Sequence, residues 1–411
     1  MSVSERRRHP ALTHAPIFFS FFTWGFGTGA QNLGRSLFAL FLTGNVFLVG
    51  VMMAVNAIPR AFTGPVTGFL TDRLGRKPMV LLGPIVRGAT NIGQYFADDY
   101  ITFLVLEVIG QVGVAIWATS SNVLLSDVTT TENRGRMLAL RTMAMRLGFV
   151  AGPAVGGVLA ATFGIESVFL LNGVSKIVIV IVVLTMVRET RPEELARPGG
   201  AGRQGARLSL EPFRHRTFAV VAMATAVFAM SNAGIVQTLL PVHAVEALEL
   251  DAAVVGFLIS LSSTLAFLWA FPNGMIADRF GRKWSLGPGL LMMAVAAVVL
   301  TVGDVYAALL VAAVFLGMGE AMGMGTSQTF AMDLAPPEKR GMYMGLSMMA
   351  NSVGATAGPL LLTGLYHFVH PDVSFVTMTV LLLLAVLLLA LLAQETGGRA
   401  RLQRVDAQSE P

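Results

Sequence analysis

Apolar residues recur along the chain in long blocks, at about 16–43, 46–71, 79–97, 101–126, 137–163 and 167–187, and again at about 217–243, 252–277, 285–303, 305–332, 342–366 and 373–393. At about 1.5 Å per residue, each is long enough to carry a helix across most or all of about 30 Å of hydrocarbon. Strict apolar/polar alternation is missing, which excludes barrel strands, and a lipid-embedded backbone that must satisfy its own hydrogen bonds reads here as helix. The pattern predicts an all-α membrane protein with twelve transmembrane helices. Residues 188–216, between the sixth and seventh blocks, are charged and rich in Pro and Gly, as expected of a cytoplasmic linker. The expected organisation is a six-helix bundle over 1–187, the linker over 188–216, and a second six-helix bundle with a short cytoplasmic tail over 217–411.

Charge orients these spans. Of the 29 Lys and Arg residues, 23 fall in the termini and in alternate loops, including Arg73, Arg76, Lys77, Arg134, Arg136, Arg279, Arg282, Lys283, Lys339 and Arg340. The opposite loops contain none and carry Asp98, Asp99, Glu166, Glu249, Asp251, Asp304 and Asp372. Basic residues stay inside, so both termini are expected in the cytoplasm and the protein in the cytoplasmic (inner) membrane. The first block is too long for a signal-peptide core and reads as a retained span.

Composition then narrows the function. Hydrophobic residues make up 54% of the 411 and charged residues 13%, against about 25% charged in an ordinary soluble domain, which argues against a cytosolic enzyme. Cysteine is absent and the six histidines form no pair at helical ligand spacing, so neither a disulfide framework nor a metal site is expected. A net charge of +5 raises the question of nucleic acid, but the bases sit in short clusters between apolar blocks and form no continuous face. No nucleotide loop or nucleophile elbow is present: the glycine-rich stretches lie inside apolar helices.

An internal repeat fixes the architecture. GFLTDRLGRK, from Gly68 to Lys77, recurs 206 residues later as GMIADRFGRK, from Gly274 to Lys283. Asp127, Arg134 and Gly135 map at the same offset onto Asp333, Arg340 and Gly341, and Gly148, Gly152 and Pro153 onto Gly354, Gly358 and Pro359. Both copies lie on the cytoplasmic side, which makes them parallel repeats. In physical terms Gly68 and Gly75 permit close helix approach and a tight turn, as do Gly274 and Gly281, while Asp72 and Asp278 can face the positive end of a neighbouring helix. Arg73 is then expected to pair with Asp127 and Arg279 with Asp333, with Arg76 and Arg282 beside them, as latches that break when the halves rock.

These residues resemble the signature of the Major Facilitator Superfamily, G-x-L-A-D-R-x-G-R-K, with Thr71 replacing alanine in the first copy and Ile276 replacing leucine in the second. The resemblance covers nearly the whole chain and implies two six-helix bundles around a cavity that opens to alternate sides. A second stretch, GFVAGPAVGGVL from Gly148 to Leu159, places Gly148, Gly152, Pro153, Gly156 and Gly157 on the fifth helix, a small-residue seam with a proline bend. It is similar to the motif of proton-coupled antiporters, multidrug exporters among them. The second half keeps Gly354, Gly358 and Pro359 but has Leu362 and Thr363 in place of the glycine pair.

Six bases fall inside the spans: Arg35, Arg60, Arg87, Arg141, Arg146 and Lys176. Ionisable groups in lipid are costly unless they face a cavity or a partner. Arg60 lies 12 residues from Asp72, about 18 Å deep, whereas Arg141 is shallow enough to snorkel to the interface. Arg35, beside Gln31 and Asn32, is expected with Arg60, Arg146, Asn232 and Gln237 to line the substrate cavity. Of the acids, Glu320 lies 13 residues before Asp333, about 20 Å deep in a glycine-rich stretch, and Glu107 lies farther out. Glu320 is the first choice for proton coupling and Glu107 the second. Exporters similar to this chain often carry an arginine in the fourth helix and an acid in the first; here the fourth carries Glu107 and the first Arg35.

The reading that results is a monomeric secondary transporter, driven by a proton gradient without a bound cofactor, that exports small amphipathic molecules or drugs by alternating access. Twenty-two Met and 26 Phe suit adaptable binding surfaces. The alternatives are a transporter of an organic anion or phosphorylated metabolite, for which the excess of buried bases argues, and a transporter-like sensor, against which the short linker and tail argue.

Overall fold

The computed structural model describes residues 15–56, 67, 74–127, 129, 133–187, 211–302, 305–336 and 339–396. Among them every regular element is helical. We number the long helices α1 (Ala15–Thr43), α2 (Val46–Val55), α3 (Arg76–Tyr95), α4 (Tyr100–Asp127), α5 (Arg134–Phe163) and α6 (Ser167–Met186). They continue as α7 (Arg216–Glu246), α8 (Ala252–Arg279), α9 (Lys283–Val302), α10 (Tyr306–Asp333), α11 (Arg340–Phe368) and α12 (Pro371–Leu392). Eight of these are long and apolar enough to cross a membrane, among the described residues. The chain is an integral membrane protein, and the helical pattern follows from the solvent: in hydrocarbon only intrahelical bonds satisfy the backbone. Asp99 caps α4, accepting from Thr102 N at 2.9 Å.

The chain divides into two compact units. The first comprises Met1–Leu42, Val55–Arg203 and Ala252–Ser260; the second comprises Thr43–Ala54, Gln204–Asp251 and Leu261–Pro411. Each thus incorporates a short segment from the other half of the sequence.

In the first unit, α3 and α4 cross where Gly83 meets Gly113, a Cβ on Gly83 coming within 2.9 Å of Gly113 O. One end of this unit has an aromatic core in which Trp24 stacks on Trp117 at 4.9 Å, among Ile17, Phe21, Val80 and Leu124. The second unit repeats the crossing with α9 and α10, where Gly289 approaches Gly319 O at the same spacing of 206 residues. There Phe218 packs edge-on against Tyr343 at 4.7 Å, with Ala331 and Leu346. One irregularity lies in α7, where Asn232–Leu239 winds as a π-helix and Gln237 Nε2 donates to Asn232 Oδ1 at 2.8 Å.

Candidate functional site

Inside the first unit, polar side chains placed one helical turn apart on four helices meet around a single carboxylate. Gln31 and Arg35 come from α1, Arg87, Asn91 and Gln94 from α3, Glu107 and Gln111 from α4, and Asn172 and Lys176 from α6. All are buried, Glu107 to 1% exposure. Separations of three or four residues put each set on one helix face, so four local stripes generate one cluster. Glu107 Oε1 accepts from Arg35 Nη1 at 3.1 Å, Arg87 Nη2 at 3.3 Å and Gln111 Nε2 at 2.7 Å. Its Oε2 accepts from Arg87 Nη1 at 3.1 Å, Gln94 Nε2 at 2.9 Å and Gln31 Nε2 at 3.4 Å. Gln31 Oε1 in turn accepts from Arg87 Nη2 at 2.7 Å and from Asn172 Nδ2, while Arg35 Nη2 donates to Asn32 Oδ1. Asn56, with its amide turned so that Nδ2 faces the carboxylate, donates to Glu107 Oε1 at 2.9 Å. Lys176 Nζ donates to Asn172 Oδ1 at 2.7 Å and lies 4.2 Å from the centre of the Trp24 ring. Charge-assisted bonds of this kind are the strong ones, and a buried carboxylate with this many donors is held rigidly.

Among the described residues, most positions of the cluster are apolar in the second unit, Gln31 alone keeping its residue type as Gln237. At the offset of 206 residues, Arg87, Gln94, Glu107, Asn172 and Lys176 correspond to Met293, Leu300, Ala313, Met378 and Leu382, all buried.

Outside the cluster, both loop signatures form ion pairs. Arg76 Nε bonds Asp127 Oδ2 at 3.0 Å, and Arg282 Nε bonds Asp333 Oδ2 at 3.0 Å. Lys77 Nζ donates to Leu184 O at 3.0 Å, and Lys283 Nζ to Ala390 O at 3.0 Å. Gly75 (φ 104°) and Gly281 (φ 113°) make the reversals that start α3 and α9, a conformation L-residues rarely adopt. At the start of α9 the backbone N–H groups of Arg282 and Lys283 donate to the Glu395 carboxylate at 2.7 and 3.0 Å. This corrects the expected pairing: the acid at the end of α10 is taken by Arg282, which follows the glycine reversal, and Arg279, which precedes it, lies over the Phe280 ring at 5.5 Å. Arg76 occupies the equivalent place on Asp127. Asp278 bonds Arg282 Nη1 at 2.8 Å. Gly274 is also corrected, because a Cβ there would enter open space and so closes no helix contact.

A family profile for the Major Facilitator Superfamily matches residues 17–245 and again 221–408. The chain belongs to this superfamily. It is similar to the tetracycline resistance protein, class C, of Escherichia coli, at 26% identity over 77% of this chain and 79% of that one. Multidrug resistance protein 2 of Bacillus subtilis is 22% identical over 88% and 89% of the two chains. Among solved structures, a bacterial homolog of the human lysosomal transporter Spinster, inward-facing and unoccupied, superposes with a TM-score of 0.75 at 15% identity, covering 93% of this chain and 96% of that one. The superfamily and these neighbours make the protein a transporter and not an enzyme.

In this MFS transporter the fifth-helix seam is a set of backbone contacts. A Cβ on Gly148 would meet Phe22 O and Phe26 N (2.5 Å), on Gly152 Phe26 O and Ala30 N (2.9 Å), and on Gly156 the Ala30 Cβ at 2.8 Å, so α5 lies directly on α1. Gly157 turns instead to α8, 3.0 Å from the Gly256 Cα, and Pro153 O faces Gly256 from the same side.

Of the residues expected at the site, the structure gathers Gln31, Asn32, Arg35 and Glu107 into one cluster. Asn232 and Gln237 bond each other in the second unit, and Arg146 on α5 and Glu320 on α10 are half-buried. Arg60, Gly68, Asp72 and Arg73 lie outside the described residues. Sequence reasoning noted Arg87 and Lys176 as intramembrane bases without assigning them to the site, and passed over Gln94, Gln111 and Asn172. The pairs 87/91, 107/111 and 172/176, polar residues four apart in otherwise apolar helices, were the signal available.

Proposed function

We propose that this transporter exports small amphipathic molecules by alternating access in exchange for protons, as a monomer in the cytoplasmic membrane with both termini inside. The observation that carries the reading is the seam of α5. Gly148, Gly152 and Gly156 press its backbone against α1, the helix that bears Gln31 and Arg35, and Pro153 sits within the seam. A bend at that proline moves α1 and the cluster with it. The resemblance of 77% and 88% of the chain to a tetracycline resistance protein and a multidrug resistance protein supports efflux as the direction.

Glu107 serves as the counter-ion of the cluster, and Glu320, half-buried in α10, carries the coupling proton. The test is export from proteoliposomes under an imposed pH gradient. Solute movement that the gradient drives and that Glu320→Gln abolishes is expected; no movement of any amphipathic solute, with or without the gradient, overturns the reading. A second reading, in which the solute is an organic anion, draws on the excess of buried bases over acids around Glu107.

A further inference from the structure

The cluster around Glu107 holds more positive charge than it cancels. Among the described residues it contains three buried bases, Arg35, Arg87 and Lys176, and one carboxylate. Every hydrogen-bond partner of Lys176 is neutral: Asn172 Oδ1 at 2.7 Å, Ser175 Oγ at 3.4 Å and Trp24 O at 3.4 Å. Its partners are dipoles and one aromatic face, with no carboxylate among them, so the one acid of the cluster is shared by the two guanidinium groups alone. Charge buried without a counter-charge is costly, and an anion from outside lowers that cost.

The donors are in surplus as well. Arg35 Nε is buried with no hydrogen-bond partner, and so are both ends of the Asn91 amide, the donor Nδ2 and the acceptor Oδ1. Asn91 lies four residues after Arg87 and three before Gln94, on the face of α3 that meets Glu107. The Glu107 carboxylate itself displays what the arrangement accommodates: a planar anion, forked by one guanidinium and bonded by a second.

We propose that this nest is the anion site for the transported solute: Arg35 and Arg87 take a carboxylate or phosphate monoester carried on an amphipathic body, in competition with the Glu107 carboxylate. The inference rests on the export reading above and names the charge class of its substrate. With the solute in the first unit and the coupling proton on Glu320 in the second, the two ions occupy separate sites. An inside-negative potential then favours the outward step of the loaded carrier.

The full-length protein in detergent, with no gradient, is titrated calorimetrically with naphthaleneacetate, naphthyl phosphate, inorganic phosphate, the neutral naphthaleneacetamide and the cation tetraphenylphosphonium. The two amphipathic anions are expected to bind, and the amide about tenfold more weakly or worse, as the loss of a charge-assisted bond predicts. Glu107→Gln, which removes the internal competitor, raises anion affinity about tenfold or more, a gain that misfolding cannot produce. Arg87→Lys, which keeps the charge and loses the fork, lowers it about tenfold. Equal binding of amide and anion, tighter binding of tetraphenylphosphonium, inorganic phosphate binding as well as naphthyl phosphate, or no gain in Glu107→Gln overturns the proposal. The proteoliposome assay reads the other question: anions bound and never moved would break the export reading and leave a bare anion site, whereas cations exported by a protein that binds no anion would break this inference alone.

Discussion

Positions that correspond between the two units have opposite chemistry at the same depth. Where the first places Arg87, Glu107 and Lys176, the second places Met293, Ala313 and Leu382, yet both are buried, both are helical, and both keep the glycine crossing and the Arg–Asp ion pair. The backbone architecture thus tolerates either a charged or an apolar filling. A buried ionic network is often no more stabilising than well-packed hydrophobic residues, so stability alone gives no reason for the first unit to retain one.

The contrast is broken most severely by removing its centre. Glu107→Ala leaves two buried guanidinium groups without their shared acid and should cost about 3–5 kcal/mol, read as a large fall in the melting temperature of purified protein; Ala313→Gly at the equivalent place should cost about 1 kcal/mol. The next largest effect lies in the glycine seams, where the units are alike: Gly152 and Gly358 face the backbone oxygens of Phe26 and Met230. Gly152→Val and Gly358→Val should each lose about 1–3 kcal/mol from overpacking and stop transport, and a harmless substitution at either would show that the seams differ. Smaller still is the difference between the latches. Arg76 is buried at 4% side-chain exposure and Arg282 is at 17%, so Arg76→Ala should cost about 1.5–3 kcal/mol and Arg282→Ala about 1 kcal/mol or less, compared by denaturation in one detergent. Least of all, and opposite in sign, Gly274→Ala fills open space within α8 and should gain about 0.5–1 kcal/mol.

Much of the fold was legible because lipid imposes a coarse rule: block length, the side chosen by Arg and Lys, and one constant offset predicted helices that the structure describes within a few residues, such as α4 and α10. The candidate site was half legible. Arg35 and Glu107 stood out because a charge in an apolar block violates composition locally. Gln94, Gln111 and Asn172 are uncharged and violate nothing, and their role depends on how four helices rotate about their axes, which no single block reveals. The latch partner was misjudged for a related reason. Arg279 and Arg282 are equivalent in sequence terms, and only the reversal at Gly281 decides which of them reaches Asp333.

The short segments that each unit takes from the far half of the chain bear on how the polypeptide matures. Gly157 of α5 rests on Gly256, a residue synthesised 99 positions later in the chain. The face of α5 at Gly157 is therefore made before its cover and gains it when α8 follows. A polypeptide divided anywhere between these two glycines would leave its front piece with an unfinished wall, which the back piece, made in the same membrane, could close.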